Sequence, residues 1–267
     1  MSISPIVDVG SALPSIRYPD DSGRALQDVI DSAPEGAVVE LAPGRFEGPI
    51  VLRRPMTLKG AGDLTRIVGG GRARPVIEID AGASRLIFVE SVAIGGAESD
   101  RGAGVRVLNG RVRLYNVHGT SCQAREEGGF LWVGGGEVEA SVLRIEACRA
   151  NRGGAIYVRE CEHFVLRDSE IHDCEAVAGG GLFVAGGRPR LSRVRFSRTR
   201  ATAPGGGQAA RQEGGVLHME RVLFEDPPIG QPFVGARDAK AVFSHCDMPS
   251  DVMDNEGVHD EGGNRWR

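Results

Sequence analysis

Short glycine-led apolar runs recur at a nearly fixed interval through the middle of the chain. They begin at Gly102, Gly128, Gly153, Gly179 and Gly205, so the steps between them are 26, 25, 26 and 26 residues. A fixed period of this length is typical of a solenoid, in which each repeat forms one coil and buries its apolar side only by stacking on its neighbours. The repeat therefore predicts one elongated stack of coils.

The coils are predicted to consist of β-strands. Apolar residues alternate within each short run, and a period of two indicates strands rather than helices. A second set of strands follows the same period, since Ile145, Ile171 and Phe196 lie 26 and 25 residues apart. The chain has 39 glycines in 267 residues, and those that open each run fit coil corners that need positive φ or close backbone approach.

A single helix is predicted near the N-terminus. Leu26, Val29, Ile30 and Ala33 have the i, i+3, i+4, i+7 spacing of one apolar helix face, which predicts a helix over Arg24–Ala33. So short a helix is marginal by itself, so its apolar face should dock on another element. We expect it to cover the open end of the solenoid.

The chain is predicted to divide into three segments. Residues 1–36 would contain the N-terminal segment and the capping helix, and residues 37–248 would form the β-helix. Residues 249–267 are acidic, aperiodic and contain glycine, so we expect a mobile C-terminal tail or a strap over the last coil.

Two sequence patterns resemble known families. The stretch LAPGRFEGPIVLRRPMTLKGAG resembles the N-terminal opening of right-handed parallel β-helix proteins of the pectate-lyase-like superfamily, in which a short helix caps the coil. The glycine-led strand and the later Phe/Ile-x-x-Cys/Thr strand, over about residues 100–210, are similar to repeats of polymorphic outer-membrane autotransporters, which carry Asn where this chain has Cys or Thr. The resemblance implies an all-β, single-stranded right-handed parallel β-helix with an N-terminal capping helix.

The resemblance also implies carbohydrate-active chemistry, in the form of a polysaccharide lyase or epimerase that acts on uronates, with Ca²⁺ as a cofactor only for a lyase. The chain departs from the motifs that carry this chemistry. It has no G-H-G or R-I-K sequence, its Arg-Pro pairs do not fit an R-x-P-x-x-R context, and no aspartate cluster recurs on one face. We therefore assign no catalytic residue, no metal ligand and no cofactor from the sequence.

Charged residues also follow the coil period. Six arginines between Arg188 and Arg200 would by themselves indicate a polyanion-binding surface. One coil earlier, however, acidic residues occupy the positions that correspond to four of them, Arg193, Arg195, Arg198 and Arg200. Stacking then predicts two columns of alternating charge, Arg144–Glu170–Arg195 and Arg149–Glu175–Arg200. Because these arginines would be paired and the net charge is −4, nucleic acid is disfavoured as a partner.

The candidate binding residues lie beside these columns. His118, Glu146 and His172 each follow an inward apolar residue of the same strand, which predicts one outer face on three adjacent coils. Two imidazoles around a carboxylate can hold a metal ion or transfer protons, but polar residues must also cover the outside of every coil. We take the three together with nearby arginines as the candidate binding set: His118, Glu146, His172, Arg144, Arg195 and Arg198.

The cysteines indicate a packing role. Cys122, Cys148 and Cys174 lie 26 residues apart, which predicts an interior ladder of small apolar side chains. No C-x-x-C pair is present, so a zinc site is disfavoured. Five cysteines, an odd number, fit a reducing compartment. With no apolar run long enough for a membrane span and no secretory signal, we expect a cytoplasmic protein, with secretion by a non-classical route as the alternative.

These features favour a non-enzymatic recognition or scaffold module, which binds a protein or polysaccharide partner through one coil face. The compact coils leave little room for the long loops that normally build a catalytic cleft on such a fold. The alternative is a carbohydrate-active enzyme, a polysaccharide lyase or epimerase acting on uronates. Fold-level likeness supports this alternative more than any residue does.

Overall fold

A computed structural model confirms the predicted fold class: the chain forms an all-β parallel solenoid of about 8 turns with one short helix. Strands of successive coils pair in parallel and form long sheets that run the length of the stack. The structure describes residues 13–20, 23–71, 73–82, 85–225, 234–248 and 258–266.

The larger sheet, sheet A, contains two stacked runs of strands. Its strands are β1 Ser15–Tyr18, β2 Val38–Leu41, β3 Gly44–Glu47, β5 Met56–Val68, β7 Leu86–Gly95, β10 Arg111–Thr120, β13 Glu137–Ser141, β14 Arg144–Glu146, β16 His163–His172, β19 Arg190–Ser197, β22 Val216–Glu220, β23 Leu223–Glu225, β25 Lys240–Ser244, β26 Asp247–Met248, β27 Val258–Asp260 and β28 Arg265–Trp266.

Sheet B forms the opposite side of the coils, and two strand pairs complete some of the turns. Sheet B contains β4 Ile50–Leu52, β6 Ile77–Asp80, β9 Val105–Asn109, β12 Leu131–Val133, β15 Ile156–Cys161, β18 Leu182–Gly187, β21 Ala210–Glu213 and β24 Val234–Arg237. The two pairs are β8 Glu98–Arg101 with β11 Gln123–Glu127, and β17 Glu175–Ala176 with β20 Arg200–Ala201.

The inward side chains of the stacked strands form one continuous apolar core. Along one inward position of sheet A lie Leu58, Val89, Leu114, Leu166 and Leu191, each at most 1% exposed. Burying one such side chain is worth about 1.5–3 kcal/mol, and every coil contributes several. The core therefore holds adjacent coils together along the whole stack.

The cysteine ladder lies inside this core, as predicted. Cys122, Cys148 and Cys174 are buried, and each thiol donates to the carbonyl two residues earlier at 3.3–3.5 Å. Burial raises the pKa of Cys174 and, at the C-terminal end, raises that of Cys246 to about 11. Cys174 and Cys246 therefore stay protonated, and the burial of the ladder gives it a packing role.

Two of the corners in each central coil are formed by residues other than glycine, and the sequence did not predict these corners. The predicted glycine corners are confirmed, since Gly102, Gly128, Gly153, Gly179 and Gly205 have φ between +56° and +67°. Two further corners, which we call the first and second bends, have φ between +48° and +55° in four central coils. The first bends are Asn116, Val142, Asp168 and Arg193, and the second bends are Ser121, Ala147, Asp173 and Arg198.

The helix α1 spans Leu26–Ser32, which is shorter than the predicted Arg24–Ala33. The difference arises because Ala25 and Ala33 both have extended backbone angles, so the helical conformation ends between them. Its apolar residues are buried against the first coil, which confirms the amphipathic face.

A glutamine of α1 covers the open edge of sheet B. The Val51 N–H donates to Gln27 Oε1 at 2.8 Å, and Gln27 Nε2 donates to the Val51 carbonyl at 3.1 Å. The side-chain amide thus takes the place of a missing strand beside β4, the first strand of the sheet. An open sheet edge attracts other chains, so this pairing protects the end of the solenoid.

The described part of the predicted tail continues the solenoid. Residues 258–266 form β27 and β28, which pair in parallel with β25 and β26. The backbone of these residues is bound to the last coil, which agrees with the expected strap rather than with the mobile tail. Residues 249–257 and 267 lie outside the described residues.

We expect Val142→Asn to stabilise the protein. A β-branched residue is unfavourable at positive φ, and Val142 has φ 55°, whereas Asn116 fills the same bend one coil earlier. Relief of about 1 kcal/mol of strain should raise the Tm by about 2–4 °C in a thermal melt. The matched control is Val177→Asn, because Val142 and Val177 are 43% and 46% exposed but only Val142 has positive φ. An equal change in both variants would contradict strain as the cause.

Candidate functional site

The candidate residues lie on a short outer face between the first and second bends. We call this face the polar wall, and it consists of the outward residues His118, Arg144, Glu146, Glu170, His172 and Arg195. Strand register places Arg144, Glu170 and Arg195 opposite one another on successive coils. The predicted column is therefore confirmed as a register, and Arg149, Glu175 and Arg200 form the second one.

His118, Glu146 and His172 lie on the same outer face, as predicted, but not in one column. His118 lies opposite Arg144, whereas His172 lies opposite Glu146. His118 is therefore displaced by two residues from the column that contains Glu146 and His172.

The imidazoles nevertheless meet at Glu146. His118 Nε2 lies 3.0 Å from Glu146 Oε1, and His172 Nε2 lies 3.2 Å from Glu146 Oε2. Arg144 Nη2 approaches Glu146 Oε2 at 3.3 Å along the same strand. A single carboxylate thus joins three positively charged or ionisable groups from three adjacent coils.

Each imidazole also contacts a second carboxylate. His118 Nδ1 lies 3.0 Å from Asp63 Oδ1, and His172 Nδ1 lies 2.9 Å from Asp173 Oδ2. The result is a continuous chain of contacts, Asp63–His118–Glu146–His172–Asp173. A neutral imidazole has one N–H and can donate to only one carboxylate, whereas the doubly protonated ring donates to both. The network is complete when both rings carry two protons.

The coil period did not identify Asp63 as a site residue, because Asp63 lies in an insertion. Strand β5 pairs with β7 with register shifts between Lys59 and Arg66, so the intervening residues bulge out of the coil. Buried Thr65 anchors the bulge, since its hydroxyl accepts the Ala61 N–H at 2.9 Å and donates to the Ala42 carbonyl at 3.0 Å. The signal was present in the sequence, where GAGD lengthens this coil beyond the regular period.

The charges of the network lower the pKa of its carboxylates. Burial acts to raise the pKa of Glu146, but the hydrogen bond from His118 and the charges of His118, Arg144 and His172 together lower it. The hydrogen bond from Arg198, with a further one from His172, holds the pKa of Asp173 well below its usual range. Both carboxylates therefore stay ionised at neutral pH.

Arginine–aspartate pairs link consecutive bends beside the wall. Arg198 contacts Asp173 through two bonds of 2.7 Å, and Arg193 contacts Asp168 with its Nη2 at 2.8 Å. Each pair joins bends that lie 25 residues apart, which agrees with the predicted coil spacing. Bidentate geometry makes these pairs stronger than ordinary surface ion pairs.

Other predicted pairs of the wall are in register but not in contact. Arg144 bonds to Glu146 of its own strand, and Arg195 lies 3.9 Å from Glu225 on the following coil. In the part of the chain that the structure describes, Glu170 therefore has no salt-bridge partner, although two arginines flank it. A long arginine side chain reaches several carboxylates, and the more buried Glu146 holds Arg144.

A depression of about 490 Å³ lies beside the network. It is open to solvent, and the polar side chains that line it are Asp63, Asn116, His118, Arg144, Asp168 and Glu170. The bulge that carries Asp63 forms one side of it. Among the described residues, no group of three His, Cys, Asp or Glu side chains is arranged to hold a metal ion.

Comparison with known proteins assigns no family, since no protein-family model and no curated protein matches the chain. The structure supports a parallel β-solenoid, and the finer pectate-lyase-like assignment has no match behind it. Within the described residues, no helix is long and apolar enough to cross a membrane.

Glu146→Gln should destabilise the protein at neutral pH and much less in acid. A carboxylate with a lowered pKa stabilises the fold above its ordinary titration range, and this contribution disappears as the pH falls through the lowered value. Loss of charge-assisted hydrogen bonds worth about 1 kcal/mol should lower the Tm by about 2–4 °C at about pH 7. The difference in Tm between the two proteins should shrink as the pH falls below the ordinary range of a glutamate carboxyl group.

The matched control is Glu170→Gln, which changes an exposed wall carboxylate that lies outside the network. Its Tm should differ little from the native value at either pH, because an isolated surface carboxylate contributes little. An equal loss for both variants, or a loss for Glu146→Gln that does not diminish in acid, would contradict the network as the source of stability.

Proposed function

We propose that this protein is a non-enzymatic recognition or scaffold module, which presents the polar wall to a protein or glycan partner. The observation that carries the proposal is that both imidazoles are already engaged with carboxylates of the protein. Each ring nitrogen of His118 and His172 already contacts a carboxylate of the protein. A general base needs a nitrogen within reach of the substrate proton, and neither ring leaves one free.

The charge balance of the wall supports a protein or glycan rather than a nucleic acid. Arginines alternate with carboxylates along the columns, and the bend arginines Arg193 and Arg198 are paired with aspartates. Binding to nucleic acid depends on neutralising phosphates with unpaired positive charge. A mixed wall offers donors and acceptors side by side, which suits a partner of mixed polarity.

Rigidity is the second support for recognition. The wall rests on stacked strands whose inward residues, such as Ile145 and Ile171, are fully buried. Sites built on strands hold their side chains more closely than sites built on loops, and a preformed surface loses less entropy on binding. The wall can therefore act as a template that a partner meets without rearrangement.

Site-specific photo-cross-linking tests the proposal. A photoreactive amino acid at Glu170, which is exposed in the middle of the wall, should cross-link a specific partner in cell extract. The same amino acid at Arg159, which is exposed on sheet B, should not yield that partner. The partner should then bind the purified native protein, and His172→Ala should weaken its binding about fivefold.

Cross-linking from both positions, or binding that is insensitive to His172→Ala, would contradict recognition through the wall. A thermal melt of each variant provides the fold control, because a partner lost through unfolding says nothing about the surface.

One observation favours the alternative, a lyase or epimerase acting on uronates. Glu146 is a part-buried carboxylate between two imidazoles, beside Arg144 and an open depression, and this set could abstract a proton if a substrate displaced one contact. Arg144, Arg195 and Arg198 would then face the acidic sugar. Ca²⁺ would be a cofactor only if the protein were a lyase.

A lyase leaves an unsaturated uronate that absorbs in the near-ultraviolet. We expect no such product from pectate, alginate or hyaluronan at high protein concentration, with or without Ca²⁺, because the imidazoles are already engaged. An increase in absorbance that Glu146→Gln abolishes would overturn the non-enzymatic proposal. An increase that Glu146→Gln leaves unchanged would indicate a contaminating enzyme, and Glu170→Gln is the matched variant. Nuclear magnetic resonance of the sugars tests epimerisation in the same samples.

A further inference from the structure

A second concave surface lies on sheet A, on the other side of the first bends. We call it the basic groove, and it has a volume of about 430 Å³. Strand register forms its central column from Val165, Arg190, His218 and Val242, one residue from each of four consecutive coils. Arg167 lies beside this column, diagonally across from Arg190. The groove shares no residue with the polar wall.

The arginines of the groove differ from those in the preceding coils of the same sheet. There, Arg111 pairs with Glu137 at 3.0 Å and Arg113 with Glu139 at 3.1 Å. Arg190 instead has Val165 and His218 as its neighbours in register. Among the described residues, coil stacking therefore places no carboxylate directly opposite Arg190.

Among the described residues, no carboxylate lies within salt-bridge distance of Arg167 or Arg190. Asp168 follows Arg167 in the chain, but its carboxylate is bound by Arg193. Glu220 lines the groove and lies 3.2 Å from Arg221, and Glu261 also contributes to the lining. The groove therefore has two arginines on its first two coils, and its carboxylates lie on later coils.

The other lining groups suit an extended peptide. Ser192 and Ser244 offer hydroxyls, and Val165 and Val242 provide apolar contact. None of the described lining side chains is Phe, Tyr or Trp, so a sugar ring would find none of the large aromatic faces on which sugars usually stack. Side chains on one face of an extended peptide repeat every ~6.6–6.8 Å, and diagonal neighbours in a sheet lie ~7–8 Å apart.

We propose that the basic groove binds an extended acidic peptide segment of a partner protein, with carboxylates at alternate positions on Arg167 and Arg190. An arginine can hold a carboxylate through two parallel hydrogen bonds, which gives both affinity and orientation. This site adds a second contact surface to the recognition function, and its residues are separate from those of the polar wall.

Fluorescence anisotropy with a labelled peptide of alternating glutamate and serine tests the proposal. The native protein should bind this peptide, and binding should weaken as the salt concentration rises. Arg167→Gln and Arg190→Gln should each raise the Kd about fivefold, and the double variant about 25-fold. The matched control is Arg159→Gln, an exposed arginine on sheet B, which should leave the Kd unchanged.

Three results would overturn the proposal: no binding of the glutamate peptide, equal binding of a glutamine–serine peptide, or retention of affinity in the double variant. Oligogalacturonate serves as the glycan probe, and its binding to the groove in place of the peptide would also overturn it. Thermal melts exclude unfolding of the variants. Cross-linking from Glu170 reports on the polar wall independently, so failure of one surface is distinguishable from failure of the other.

Discussion

The structure depends on parallel backbone hydrogen bonding between coils that are 25 or 26 residues apart in the central repeats. This register sets each side chain above its counterpart, so any property repeated in the sequence becomes a column in space. Inward columns make the core, and Trp132, Tyr157 and Phe183 make a smaller aromatic cluster through the same register on sheet B. Outward columns carry the charges that define both surfaces.

The bends set the directions in which these columns face. A pair of positive-φ residues in each central coil, such as Asp168 and Asp173, turns the chain sharply and sets off a short face between them. Positive φ is costly for most residues, but the bidentate contacts of Arg193 and Arg198 with these aspartates offset part of that cost. The polar wall and the basic groove thus face different directions from one continuous strand.

The two surfaces differ in how their charges are satisfied. On the wall, Glu146 draws His118, His172 and Arg144 towards itself, and the imidazoles are bound at both nitrogens. In the groove, Arg190 has no comparable partner within the described chain. A surface whose charges are paired within the protein selects a partner by shape and mixed polarity, whereas arginines without a salt bridge select for negative charge. Together they favour recognition over catalysis.

The solenoid, the buried cysteines and the column Arg144–Glu170–Arg195 were predictable from the residues alone, because each follows from a period that is visible in them. Which charges meet depends on the folded chain. Asp63 reaches His118 through a bulge that interrupts the period, and several carboxylates lie within reach of each arginine, so register alone does not select the pair. The non-glycine bends were also hidden, because tertiary hydrogen bonding holds residues such as Val142 in a conformation that their own preference disfavours.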